Sequence, residues 1–308
     1  MILLYKMHAS KPSGQAGKGS NSKLVACAKK VPPPLPGSPL GRGGGASRWG
    51  SGWGRKLQTP PPLPASTPSP KQQGARRWSS SPYKKWLDAA AIEVRQGVRL
   101  EGRGLIAGKD LSPGPAVLVP LKAQIRADTI PDPRLHDLLQ QIPHHSAPGL
   151  GHVFSSALAL LWHVSRGAKS PFYAHIQQLP GIGTAEVPCA APIFPEKVLP
   201  ELQDNKSSRY VCQVKAQCKD FWEGHIVCFN TSEAKNPFLG LQITHALWGW
   251  AVTLSQSRCF DGFGMPPLID FANHSPRPNC TTHGFTSGNG FIGPFMLELT
   301  EKCTKVKA

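Results

Sequence analysis

Gly264-Met-Pro-Pro-Leu-Ile-Asp-Phe-Ala-Asn-His-Ser-Pro-Arg-Pro-Asn279 is the stretch on which the reading of this chain turns. Its pattern predicts an apolar strand from Pro267 to Phe271 running into a polar turn at Asn273-His274-Ser275-Pro276. Asn and Ser beside Pro favour turn initiation. An Asn-His pair at the end of a buried strand can present backbone and side-chain donors to a ligand. It can equally be an ordinary strand end whose Asn and Ser satisfy local backbone groups. Spacing alone favours the second reading.

Upstream of this stretch, Ile243, Leu247, Trp250 and Leu254 recur at helical spacing and predict a helix from about Phe238 to Gln256. A stripe bearing tryptophans reads as core, so Trp248 and Trp250 are placed there. The helix leads into Ser257-Arg258-Cys259-Phe260, where an Arg at a helix C-terminus complements the dipole. Downstream, Gly284 to Gly293 reads as a loop and Pro294 to Thr300 as a strand. Residues 195–231 read as one or two helices of an insert. Val153, Ala157, Leu158, Leu160, Leu161 and Val164 form a further helical stripe, closed by Arg166 and Gly167. Ser170 to Pro180 carries a short helix, and His175 has no ligand partner at i±4, which makes it structural. Between Val98 and Pro120 two strands are expected, Gly104–Leu111 and Ala116–Val119, joined by the Ser112-Pro113-Gly114 turn. A helix at Trp86–Ala91 opens the folded region, which begins near Tyr83.

Charge divides the chain. Formal net charge is +17 over 308 residues, but residues 1–86 hold 15 of the 35 Lys and Arg and none of the Asp and Glu. The remainder carries 20 basic against 18 acidic residues and is close to neutral. The basic character belongs to a tail, residues 1–83, in which Pro32-Pro-Pro-Leu-Pro and Pro60-Pro-Pro-Leu-Pro recur among Ser, Gly, Lys and Arg. Such a segment has too little apolar surface to offset the entropy of ordering, so it is expected to be disordered. Abundant Ser, Arg and Lys without acid is the composition of an organelle transit peptide. Pro-rich ligand segments for small binding domains are the alternative. The 8 Cys form no C-x-x-C pair, which argues against a structural zinc. No run approaches the ~20 apolar residues of a membrane span. Balanced charge outside the tail argues against a nucleic-acid surface.

The order Pro-Leu-Ile-Asp-Phe-Ala-Asn-His-Ser, residues 267–275, resembles the core motif of SET-domain methyltransferases, nearest to the branch of the plant Rubisco large subunit lysine methyltransferases. Three more blocks lie in that family's order. Glu101-Gly102-Arg103-Gly104-Leu105 resembles its first motif, a Gly-rich bend at the cofactor. Ser170-Pro-Phe-Tyr-Ala-His-Ile-Gln-Gln-Leu-Pro180 resembles its S-P-W-x-x-Y-I-x-x-L-P segment. Ser257-Arg258-Cys259-Phe260 resembles its Ser-Arg-x-Phe. The likeness covers about residues 95–308. It implies an α+β SET fold over residues 84–308, with short curled β-sheets, a helical insert at about 121–256 and a threaded, knot-like core, a rare topology. Relatives continue into a Gly-Glu-Glu turn and a catalytic tyrosine, followed by a helical domain. That block has no counterpart here, so the resemblance implies a SET domain incomplete at its C-terminus.

What the resemblance implies for chemistry is transfer of a methyl group from S-adenosyl-L-methionine to a protein lysine. Glu101, Gly102, Arg103 and Arg258 would hold the amino-acid end of the cofactor, with Arg258 on its carboxylate. Asn273 and His274 would anchor its nucleoside and amino-acid parts, and Asp270 would border the substrate channel. No catalytic residue is assigned, because the tyrosine falls in the block without a counterpart. Related enzymes act on Rubisco, aldolase or ribosomal proteins, and one animal relative methylates histidine. The resemblance and the tail together imply a chloroplast location, with cytoplasm or nucleus as the alternative. A catalytically inactive SET remnant or an incomplete gene model, acting as a binding module, is the alternative. A hydrolase built on Asp270, His274 and Ser275 is disfavoured, because residues so close in sequence rarely converge as a triad.

Overall fold

The computed structural model of the chain describes Leu3–Leu4, Trp78 and residues 81–102, 104–142, 150–181, 191–201, 204–231, 235–260, 264–287 and 290–304. The expected disorder of the tail concerns residues that, Leu3–Leu4, Trp78 and 81–83 apart, lie outside these.

Strand β1 is Leu3–Leu4. Helix α1, Pro82–Ala89, starts where Ser81 accepts a hydrogen bond from the Lys84 N–H and Pro82 supplies the helical φ of the first turn. Strands β2 (Glu93–Val94), β3 (Val98–Glu101), β4 (Gly104–Ala107) and β5 (Gly114–Val119) follow. Helices α2 (Pro133–Gln140), α3 (Leu150–Ser165), α4 (Tyr173–Ile176), α5 (Asn205–Phe221), α6 (Val227–Thr231) and α7 (His245–Arg258) all come before the chain returns to sheet. Asp132, Asp204 and Thr244 cap α2, α5 and α7 through their side-chain oxygens. A π-helical turn, Trp222–Ile226, joins α5 to α6. Strands β6 (Asn273–His274), β7 (Cys280–Ser287) and β8 (Gly290–Leu299) complete the order.

The strands form two small sheets. One has the order β2-β5-β8-β7-β1-β6 and the other pairs β3 with β4. All pairings are antiparallel except those of β1, which runs parallel to both β6 and β7. The architecture is α+β, with a helical layer inserted between β5 and β6. Its packing centre is aromatic. Trp248 is fully buried, with Phe154 and Phe221 at 5.3 and 5.4 Å. Its indole N–H donates to the Cys218 carbonyl at 2.9 Å, and that of Trp250 donates to the Pro180 carbonyl at 2.8 Å. Each large apolar side chain buried this way contributes roughly 1.5–3 kcal/mol. Among the described residues, no helix is long and apolar enough to cross a membrane.

Four local expectations give way. Residues 267–271 are not a strand. Pro266 and Pro267 remove two N–H donors, Leu268 takes φ +71°, and Ile269–Phe271 is a 3-10 turn. Strand β4 does not pair with β5. It folds back on β3 with Glu101 opposite Gly104, while β5 pairs with β2 and β8. Helix α7 begins at His245 rather than Phe238, because Leu239 and Gly240 both have positive φ and Thr244 supplies the cap. The loop expected over 284–293 is the end of the β7–β8 hairpin, with Ser287 opposite Gly290. Apolar period favours α7 over a longer range, but backbone conformation decides its start.

Candidate functional site

The β3–β4 hairpin turns at Gly102, whose φ of +58° is a conformation that favours glycine. A Cβ at Gly102 would meet nothing within 4 Å, so the bend lies open on that side. Two residues on, Gly104 is buried and stands against Asn273. A Cβ there would lie 2.6 Å from the Asn273 amide nitrogen and 4.0 Å from the Phe271 carbonyl. The missing side chain at Gly104 is what lets the Asn273 amide reach the hairpin. Two stretches far apart in sequence thus meet at one place: the Gly-rich bend and the Asn-His pair.

Behind this contact lies a buried polar cluster. Arg258, the last residue of α7, donates from Nη1 to the Asp270 carbonyl at 3.0 Å and lies 3.4 Å from Asp270 Oδ2. Its guanidinium carbon sits 4.5 Å from the Phe271 ring centroid, a cation–π distance. His175 Nε2 faces the same Asp270 oxygen at 3.4 Å, and His175 Nδ1 lies 3.0 Å from the Tyr83 hydroxyl. In the tautomer protonated at Nε2, Nδ1 is free to accept the Tyr83 O–H. Burial pushes the Tyr83 phenol well above its ordinary pKa, and the Asp270 charge adds to this while Arg258 and a hydrogen bond from the Leu268 backbone oppose it. Tyr83 is therefore a neutral donor, not a base. The His175 and Asp270 side chains have no exposed surface. Asp270 Oδ1, Arg258 Nε and His175 Nε2 have no hydrogen-bond partner among the described residues. The arrangement locks the 268–273 segment to α1, α4 and α7.

The site residues expected from sequence therefore divide. Asn273 is half-buried and His274 exposed, both on β6. Gly102 lies at the open bend. The Glu101 carboxylate is exposed and bound to Arg99 at 2.8 Å. Arg103 lies outside the described residues. Arg258 and Asp270 are engaged with each other. Asp270 has no exposed side-chain surface with which to border a channel, and the Arg258 side chain is 10 % exposed. For S-adenosyl-L-methionine, the open Gly102 bend, the half-buried Asn273 amide and the exposed His274 fit as a cradle, whereas the Arg258 Nε is buried and presents no surface to a carboxylate. Among the described residues, no group of three His, Cys, Asp or Glu is placed to hold a metal ion.

His175 is structural, as expected from sequence, and its partner is Tyr83, which was assigned no role from sequence. The available signal was a histidine inside an otherwise apolar short helix, since a polar group at such a position needs a partner. The partner's identity was hidden, because Tyr83 and His175 are 92 positions apart. Compared with models of known protein families the chain finds no match, and no curated protein matches its sequence.

Proposed function

We propose that the chain is an S-adenosyl-L-methionine-dependent protein-lysine N-methyltransferase with a SET-type fold. The observation that carries this reading is the seating of Asn273 against Gly104. It brings together the two stretches whose residue order resembles that family's cofactor motifs, and the contact itself owes nothing to the resemblance. In this reading the Gly102 bend offers main-chain groups to the amino-acid end of the cofactor, Asn273 and His274 hold the opposite side, and Arg258, engaged with Asp270, holds the segment that carries them. The cofactor, when bound, supplies a sulfonium methyl. The chain's own task is to orient it, exclude water and admit a neutral amine, because a lysine of reference pKa ~10.4 attacks only after losing its proton. The substrate is a protein lysine, with a plastid protein such as Rubisco or aldolase as the partner, and the basic tail directs import into the chloroplast.

Calorimetric titration with S-adenosyl-L-methionine tests the binding, with Asn273→Ala as the control that abolishes it. Labelled-methyl transfer to plastid extract tests the reaction. Binding without transfer would point instead to a cofactor-holding module, and absence of binding in a folded chain would remove the proposal. A reporter fused to residues 1–90 tests the destination, and uniform cytosolic or nuclear signal would remove the plastid assignment.

A further inference from the structure

Strands β6 and β7 are parallel to one another, because β1 runs parallel to both. They are joined only by residues 275–279, in which Pro276 and Pro278 have no N–H and Ser275 Oγ accepts from the Arg277 N–H at 3.0 Å. A connection this short cannot cross over to pair two parallel strands directly, since such a crossover takes about a dozen residues. Leu4 is flanked by His274 on one side and Cys280 on the other, so β6 and β7 stand two ladder spacings apart, about 10 Å. The gap is one strand wide. What fills it comes from the other end of the chain: Leu3 opposite Asn273 and Leu4 opposite His274 and Cys280.

We propose that the gap between β6 and β7 is an acceptor slot for an extended main chain, and that its occupant is this chain's own residues 3–4. The slot recognises a peptide by strand addition, through backbone ladder bonds rather than a charged or aromatic side chain. Without the insert, β6 is joined to the six-stranded sheet only through residues 275–279. With it, Asn273 and His274 are tied to β7 and through β7 to β8. The N-terminal strand is thus a positioning element for the Asn-His pair. Cleavage anywhere between Leu4 and the start of α1, removal of a transit peptide included, would let this strand leave and loosen the Asn-His pair, so the positioning role belongs to the uncleaved chain. Strand insertion stands whether or not the protein binds S-adenosyl-L-methionine, so it is tested without that cofactor.

The first experiment is a cross-link in the full chain. Paired Cα atoms in a ladder lie within the 4.4–6.8 Å that a disulfide spans. Leu4→Cys should therefore form an intramolecular disulfide with Cys280 under mild oxidation, seen by peptide mass spectrometry, and the parent chain, with Leu4 in place, should show no bridge between that peptide and Cys280. A Leu4→Cys chain that cross-links to Cys280 only between molecules would overturn the in-cis assignment, and failure to cross-link would overturn the slot. The second experiment is hydrogen exchange on the full-length double variant Leu3→Pro/Leu4→Pro, which removes both inserted N–H groups. Amides in 273–282 should exchange roughly tenfold faster or more, while those of α7 keep their protection and so report a folded protein. Leu3→Ala/Leu4→Ala, which keeps the backbone donors, should exchange like the parent. A synthetic peptide of residues 1–8 should restore protection to the proline variant. Unchanged exchange in that variant, or equal loss in the alanine variant, would overturn the proposal.

Discussion

The two halves of the 264–279 stretch differ in what their polar groups face. At Asp270, the carboxylate is enclosed, with Arg258 on one side, His175 on the other and no exposed side-chain surface. Three residues on, Asn273 is half-buried against a glycine and His274 is exposed. One half is a closed polar lock and the other an open edge. The residue order resembles a binding motif throughout, but the geometry has the lock holding the segment and leaves the edge as the part that a ligand could reach. Mutations in the lock should cost stability, whereas changes at the edge should cost binding.

The contrast is most exposed to failure at Asp270. Asp270→Ala leaves the Arg258 guanidinium buried with its anionic partner gone. Breaking one member of a buried pair costs about 3–5 kcal/mol, so urea denaturation should show a loss of that size. A loss under 1 kcal/mol would mean that the cluster opens to water and is no lock.

The closed side also has a pH signature. His163 lies 3.1 Å from Ser170 Oγ and packs on Phe172, in the layer that carries His175. Burial first and the Arg166 charge second lower its pKa to about 4. Unfolded, it titrates near 6.5. Between pH ~6.5 and ~4 the unfolded chain therefore takes up a proton that the native chain refuses, and stability falls as pH falls, by on the order of 2–3 kcal/mol. The depressed carboxyls of Asp128 and Asp132 act lower, since their contribution is lost only below the ordinary value of 3.8. Chemical denaturation at stepped pH should show the slope, and His163→Gln should flatten it. A slope that survives the substitution belongs to another group.

A smaller loss is expected at the outer end of the lock. His175→Phe keeps a ring among Tyr83, Trp86 and Phe271 but leaves the buried Tyr83 hydroxyl without its acceptor. An unsatisfied buried hydroxyl costs about 1–3 kcal/mol. The double variant His175→Phe/Tyr83→Phe should recover part of that loss in a thermal melt. Two losses that simply add would show that the contact contributes nothing.

How much of this was legible in sequence follows from how local each cause is. Helix α3 and the core placement of Trp248 and Trp250 were readable, because apolar spacing and burial are the same fact. The 3-10 turn at Ile269–Phe271 was partly readable, since Pro266 and Pro267 argued against a strand there, but the positive φ of Leu268 carries no composition signal. The pairing of β4 with β3 was within reach from Gly102, a residue suited to a tight reversal. The Tyr83–His175–Asp270 chain was not legible, because three elements supply it and no periodicity links them. The same holds for β1 between β6 and β7. The residues of the open edge were named from sequence, but what places Asn273 there is the absence of a side chain at Gly104, a spatial fact.

Gly104→Ala tests that fact with the least disturbance to the fold. Gly104 does not need the glycine-only backbone region, since its φ is not positive. An alanine within a strand also loses less conformational freedom on folding than glycine does, a difference of roughly 0.5–1 kcal/mol in its favour. Against this, the new Cβ would stand 2.6 Å from the Asn273 amide nitrogen, closer than such atoms approach, and 3.6 Å from its Cγ. The conflict is with the far end of a side chain that can rotate, not with backbone. By comparison, a Cβ at Gly264 would lie 2.3 Å from the Ile125 carbonyl oxygen at a φ of +70°, and neither side could yield. Gly104→Ala should therefore shift stability by no more than about 0.5 kcal/mol in either direction, while turning the Asn273 amide off the hairpin. If that amide is part of the cofactor cradle, affinity for S-adenosyl-L-methionine should fall about tenfold or more, as expected when a binding hydrogen bond worth ~1.4 kcal/mol is lost. Paired melts and titrations of the parent and the variant decide it. Unchanged affinity with an unchanged melting temperature would mean that the meeting of the two stretches is packing alone, and the open edge would lose its claim to be the site.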